Sequence, residues 1–157
     1  MAIREIWHEI LINASPAELY KVVTDPQKLA HWWTTDVRGE SAIGKRLEFW
    51  FSGYKAAEME VTTLQADQLV QWRVLDGGAK DWIGTEVEFK IFENEGKTFL
   101  HFRHSNWKEG AKAFPHCSLG WAIFLISLKE FVETGKGRPH PYDMPINMWT
   151  PPAQAAA

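Results

Sequence analysis

With a single cysteine, Cys117, the chain has no internal disulfide, so its stability rests on a packed core and not on covalent staples. Charge of one sign is also scarce. Seventeen Lys and Arg against twenty Asp and Glu leave a net charge of -3, with no basic excess to grip a phosphate backbone. No apolar run approaches the roughly 20 residues that cross a bilayer, and residues 1–15 lack the charged, apolar, then small pattern of a secretory leader. There is no G-x-S-x-G elbow and no Walker loop; Gly135-Lys136-Gly137 follows an expected helix, so it stops a helix and cradles no phosphate. These absences point to a cytoplasmic protein with no nucleic-acid partner, no membrane span and no cofactor. At 157 residues, one domain over 1–150 is expected, large enough to bury about two-thirds of its unfolded surface.

What the chain has in quantity is tryptophan, nine in all. Indoles are bulky and rigid, and each buried ring N–H needs an acceptor. Two readings follow: an aromatic core, or rings that line a pocket or an interface.

The remaining elements are organised around Cys117 to Gly137. Ser118 can cap a helix, Gly135 sits where a left-handed C-cap belongs, and Pro139 lies just beyond, so the spacing predicts a helix over 118–134. Trp121, Phe124, Leu125, Leu128, Phe131 and Val132 fall on one stripe. Opposite them Leu119, Ala122, Ile123 and Ile126 give way to Glu130 and Glu133, so the first half of the helix is expected to be covered on both sides.

From the N-terminus, Ile3 to Ile12 alternates as a half-buried strand, with Ile6, His8, Ile10 and Ile12 on one face. Ser15-Pro16 and Asp25-Pro26 each open a short helix, with a capping side chain followed by proline in the first turn. Strands follow at about 33–40, 45–52, 55–64, 68–76, 82–93 and 97–106, separated by glycine-rich or polar breaks. Their alternation collects Leu47, Phe49, Phe51, Met59, Val61, Val70, Trp72, Val74, Ile83, Val87, Phe89, Ile91, Leu100 and Phe102 on one face, and charged side chains on the other. Such a sheet buries its apolar face against something, and the long helix is the only apolar element left. The fold class is therefore α+β: a curved antiparallel sheet of about seven strands wrapped on a long C-terminal helix, with two short helices after the first strand.

The segments Ile12 to Trp33 (I-x-A-x-P-A-E-L-Y-x-x-x-T-D-P-x-x-L-A-x-W-W) and Gly120 to Pro139 (G-W-x-x-x-L-x-S-L-K-x-x-x-E-T-G-K-G-x-P) resemble the signature of START-like (SRPBCC) helix-grip proteins. Within that superfamily the chain is similar to the branch of the C-terminal domain of the activator of Hsp90 ATPase. The resemblance implies the helix-grip fold. It leaves several activities open, because the superfamily includes lipid carriers, hormone receptors and polyketide cyclases.

After Pro139 the chain is proline-rich yet carries Tyr142, Met144, Ile146, Met148 and Trp149. Residues 139–150 are expected to fold back over apolar surface, such as the Leu119/Ile123/Ile126 patch. Alternatively, that patch pairs with a second subunit. Residues 151–157 are expected to be a disordered tail.

The main functional expectation is a cavity between sheet and helix that binds a small hydrophobic or aromatic molecule without catalysis. Its walls would be Trp32 and Trp33 from the second short helix, Phe49, Phe51, Met59, Trp72, Phe89 and Phe102 from the strands, and Trp121, Phe124, Leu125 and Leu128 from the long helix. His8 and His104 would be its polar points. Three other outcomes are open. The aromatics can fill the space, leaving a chaperone-type protein-interaction module; His8 or His104 can serve a cyclase- or hydrolase-like enzyme as acid or base; or both histidines can be core residues bonded to a hydroxyl or a backbone group. His101 and His104, three apart on a strand, point to opposite faces and do not chelate a metal. Cys117 beside His116 at a helix start suggests a lowered thiol pKa, without neighbouring oxyanion donors. On the charged face, Trp7 and Trp50 break the pattern and mark a contact surface.

Overall fold

A computed structural model of the chain describes residues 4–78 and 80–146. The end of the proline-rich segment and the expected disordered tail, 147–157, lie outside the described residues.

Strand β1 (Ile6–Ile12) alternates with Ile6 and Ile12 buried and Trp7, Glu9 and Leu11 exposed. Helix α1 (Pro16–Val22) starts where the Ser15 hydroxyl accepts the Glu18 N–H at 3.1 Å, and α2 (Pro26–Leu29) where Asp25 accepts the Gln27 N–H at 2.9 Å. Both carry proline in the first turn, where its missing N–H costs nothing. Strands β2 (Asp36–Gly39), β3 (Arg46–Phe51), β4 (Tyr54–Gln65), β5 (Leu69–Asp76), β6 (Glu86–Asn94) and β7 (Lys97–Ser105) complete one antiparallel sheet in the order β1-β7-β6-β5-β4-β3-β2. Register shifts at Phe49/Trp50, Glu58/Met59 and Val61/Thr63 are bulges, the device by which a sheet bends. The bent sheet holds α3 (Phe114–Thr134) against its apolar face.

The alternation of β3 to β7 matches the expected faces: Leu47, Phe49, Met59, Val61, Val70, Trp72, Val87, Phe89, Leu100 and Phe102 are sealed from solvent. Three boundaries differ. The first strand after α2 begins at Asp36, because Trp33 and Thr34 sit in the turn that follows α2, with both side chains buried. β6 begins at Glu86, because Lys80–Trp82 form a 3₁₀ turn and Gly84 takes φ 87°, so Ile83 lies off the strand. And α3 begins four residues before Ser118. Ala113 is its N-cap, without a side-chain hydrogen bond, and Pro115 occupies the first turn, so Ser118 lies inside the helix. Phe114-Pro115 reads as loop only if a proline is taken to exclude helix; in a first turn it does not.

At its other end α3 stops at Gly135, φ 87°, whose N–H bonds the Phe131 carbonyl at 2.9 Å. The buried Ser127 hydroxyl then steers the departing chain. It donates to the Trp32 carbonyl at 2.8 Å and accepts the Arg138 N–H at 2.7 Å. His140 follows, its N–H bonded to the Trp33 carbonyl at 2.8 Å. The described part of the proline-rich segment thus runs beside Thr34, away from the expected Leu119/Ile123/Ile126 patch. Leu119 and Ile126 are each 54% exposed, so that half of α3 is covered on one side only.

Candidate functional site

The space between sheet and helix is where the expected cavity walls converge. Trp32, Trp33, Phe49, Met59, Trp72, Phe89, Phe102, Trp121, Phe124, Leu125 and Leu128 all join one buried cluster, while Phe51 packs against it half-buried. The rings meet across the space. Trp33 stands 4.1 Å from Phe49 and 4.8 Å from Trp121 between centroids, and Phe102 stands 4.4 Å from Trp121. Trp32, Phe49, Met59, Trp72, Phe89, Phe102 and Leu128 have 0% accessibility, so no space the size of a water molecule borders them. Around these seven, side chains are close-packed on every side. Trp82, unforeseen because its segment reads as strand, adds another ring, stacked 5.9 Å from Trp121.

Among the described residues, one indole N–H in this interior is unmatched. The indole N–H groups of Trp32, Trp107 and Trp121 reach the Val22 carbonyl, the His104 carbonyl and His104 Nδ1 respectively, and Trp82 reaches Cys117 Sγ at 3.3 Å. Trp72 Nε1, fully buried, has no partner.

His104 is held at both nitrogens. The Trp121 N–H donates to Nδ1 at 3.0 Å. The Thr85 hydroxyl spends its only hydrogen on the Trp82 carbonyl at 2.5 Å, so it accepts from His104 Nε2 at 2.7 Å. The imidazole is therefore the neutral Nε2–H tautomer. Burial in an apolar surround pushes its pKa down to about 3. A ring with no free nitrogen and no charge near neutral pH does not exchange protons with a substrate, so His104 is a core histidine.

His8 is half-buried, and its Nε2–H donates to the Ser118 carbonyl of α3 at 3.1 Å. The two histidines share the concave face but not a site: His104 pairs with Ile6 and His8 with Phe102. His101 points the other way, 2.7 Å from Glu9. Cys117 reverses the sequence expectation. It lies one turn into α3, buried, and burial pushes its thiol up to about 11, so it is no thiolate nucleophile.

The outer face carries the second group of candidate residues. Trp7 is 53% exposed, with the Arg103 guanidinium 4.4 Å above its ring, and Trp50 is stacked by Arg38 at 4.1 Å. Beside Trp7 an open groove of about 1040 Å³ runs between Pro16, Asp67 and the outward side chains Lys90, Phe92, His101 and Arg103. Trp7 is visible in the sequence as a break in a charged face. The groove is not, because Pro16 and Asp67 belong to distant segments.

The model of the Activator of Hsp90 ATPase homolog 1-like protein family matches residues 13–133. The chain belongs to this family. Among solved structures it is similar to the Aha1 dimer from Colwellia psychrerythraea, with 38% identity, a TM-score of 0.77, and coverage of 85% of this chain and 99% of that one. Two more distant likenesses concern fold alone. A protein from Staphylococcus saprophyticus is 17% identical with a TM-score of 0.71, covering 87% of this chain and 97% of that one. CalU16 from Micromonospora echinospora is 20% identical with a TM-score of 0.69, covering 83% and 75%. No match was found among curated proteins. In family and in fold the chain is of the START-like, helix-grip type. No helix among its described residues is long and apolar enough to cross a membrane.

Proposed function

We propose that the chain is a cytoplasmic, non-catalytic interaction module of the chaperone-activator kind, working through its surface. The observation that carries this reading is the contrast between buried expected wall residues and one exposed tryptophan. The side chains placed to wall a pocket are buried against one another, whereas Trp7 stands exposed under the half-buried Arg103 beside an open groove. Exposed Trp and Arg are the side chains most enriched among binding hot spots. The family's description names an ATPase activator, and the relative from Colwellia psychrerythraea is a dimer; we carry both over as part of the proposal. The test is to add the purified chain to an Hsp90-type chaperone and follow ATP hydrolysis and binding by calorimetry. A saturable rise in hydrolysis is expected, weakened about tenfold or more by Trp7→Ala or Arg103→Glu. Absence of both binding and stimulation refutes the chaperone reading.

A second reading is favoured by Trp72. A fully buried indole N–H without an acceptor costs about 1–3 kcal/mol, and a small aromatic or apolar ligand bearing one acceptor would relieve it. In this reading the sheet and α3 separate to admit the ligand between Trp72 and the helix.

A further inference from the structure

We propose that Ser52, His140 and Asp143 form a hydrolytic site for small carboxylic esters with one hydrophobic arm. The activity goes beyond the interaction module above, whose docking surface lies toward the β1 edge of the sheet and does no chemistry.

The three side chains stand in the order that activates a serine. His140 Nε2 lies 2.9 Å from the Ser52 hydroxyl oxygen, and Asp143 Oδ1 lies 3.3 Å from Nδ1 of the same ring. A carboxylate accepts and does not donate, so Asp143 favours the ring hydrogen on Nδ1 and leaves Nε2 to accept the Ser52 O–H. That sets a nucleophile against a base, and the base against an orienting acid. Among the described residues the Ser52 hydroxyl and the Asp143 carboxylate have no other partner.

Both segments that meet here are fixed by their backbones. A two-residue hairpin joins β3 to β4, with Phe51 paired to Tyr54, Ser52 at φ 51° and Gly53 at φ 81°. Ser52 is thereby exposed at the tip of the turn, in a left-handed conformation that Gly, Asn or Asp usually fill. His140 arrives from 88 positions away. Its N–H bonds the Trp33 carbonyl at 2.8 Å, and its carbonyl accepts the Thr35 N–H at 3.2 Å. The imidazole packs on the Phe51 ring at 4.7 Å between centroids, which holds it beside the hairpin. Asp143 follows three residues on, half-buried like His140.

This arrangement supports acyl transfer to Ser52 and then to water. Ser52 Oγ forms a bond to the ester carbonyl carbon while its hydrogen passes to His140 Nε2. The bond to the alcohol oxygen then breaks, and the alcohol leaves with that proton. Water, deprotonated by the same nitrogen, attacks the acyl-serine and releases the carboxylic acid and free Ser52. Among the described residues the N–H groups of Ser52 and Gly53 bond nothing, and Gly53 directly follows the nucleophile, a position that supplies an oxyanion donor in other nucleophile turns. Tyr142 and Met144, 73% and 57% exposed on either side of Asp143 in the chain, offer apolar surface to the hydrophobic arm. Ser52 and His140 are the catalytic residues, and Asp143 is a positioning residue.

The test gives the full chain para-nitrophenyl acetate, following nitrophenolate release, and diisopropyl fluorophosphate, mapping the adduct by mass spectrometry. Wild type is expected to turn the ester over and to carry the phosphoryl adduct on Ser52. Ser52→Gly suits the left-handed turn, so it keeps the fold, and is expected to lose the adduct and about a hundredfold or more of the rate. Asp143→Asn is expected to lower kcat about tenfold or more with KM unchanged, and to move the His140 ring hydrogen to Nε2 in its nitrogen chemical shifts. A folded wild type whose Ser52 takes no label overturns the inference. So does ester turnover that survives Ser52→Gly, with the acetyl groups found on lysines.

Discussion

At His104 the fold fixes a tautomer, and the consequence is a pH dependence of stability. In the unfolded chain the imidazole ionises near 6.5; in the folded chain it stays neutral until about pH 3. Between those values the unfolded state binds the extra proton. Stability is therefore unaffected above about pH 6.5 and falls as pH drops through the window, by up to about 1.4 kcal/mol per unit. We predict that urea midpoints of the wild type decline from pH 6.5 downward, and that His104→Gln flattens this slope while lowering stability at pH 7. Nitrogen chemical shifts of His104 should report the Nε2–H form unchanged to pH 4. A ring that titrates near 6 would contradict the sealed network. The alternation of β7 already turns His104 inward and His101 outward. What sequence does not show is that the partners of His104 arrive from Thr85 in a turn and Trp121 on a helix; one-dimensional periodicity carries no information about which buried donor meets which acceptor.

Among the elements, those with their own local chemistry were the legible ones. Ser15-Pro16 and Asp25-Pro26 carry cap and first-turn signals within four residues, and Gly135 carries the left-handed stop. The start of α3 is not legible because Ala113 offers no capping side chain and a better-looking cap, Ser118, stands five residues on. Ser118 contributes its carbonyl to His8 instead. The start of β6 is not legible because Trp82 and Ile83 are strand-forming residues, yet tertiary packing holds Trp82 in a 3₁₀ turn against Trp121 and Ile83 in the turn after it. The crossing of the departing chain over α3 was not legible either, since it depends on one hydroxyl. Ser127→Ala removes a donor from the buried Trp32 carbonyl and an acceptor from the half-buried Arg138 N–H, for an expected loss of about 1–3 kcal/mol. Gly137→Ala strains the same crossing, because a Cβ there would sit 2.5 Å from the His31 carbonyl oxygen. The two losses should be less than additive in chemical denaturation, as both release one segment. Full additivity would mean that Ser127 and Gly137 hold separate structures.

For the molecule as a whole, the question is whether the apolar interior is a container or a filled core. The sequence places the aromatic residues on the right face but does not decide this, because filling depends on how the rings interlock and not on their number. The structure interlocks them, Trp33 lying against Phe49, Trp72 and Trp121 at once. A filled core gives a definite response to ligands. Trp33→Ala removes an entire indole from the cluster while leaving the His104 network intact, and should cost about 3–5 kcal/mol, the usual range for such a truncation. The void it leaves has the shape of the lost ring. Free indole should then raise the melting temperature of Trp33→Ala in proportion to RT ln(1 + [L]/Kd) and leave the wild type unmoved. Equal stabilisation of both proteins would show that sheet and α3 part readily to admit a ring, and the small-ligand reading would displace the interaction module. Stabilisation confined to the variant would leave the wild-type protein only its surface to work with: the Trp7 groove toward one edge of the sheet and the site of Ser52 and His140 toward the other.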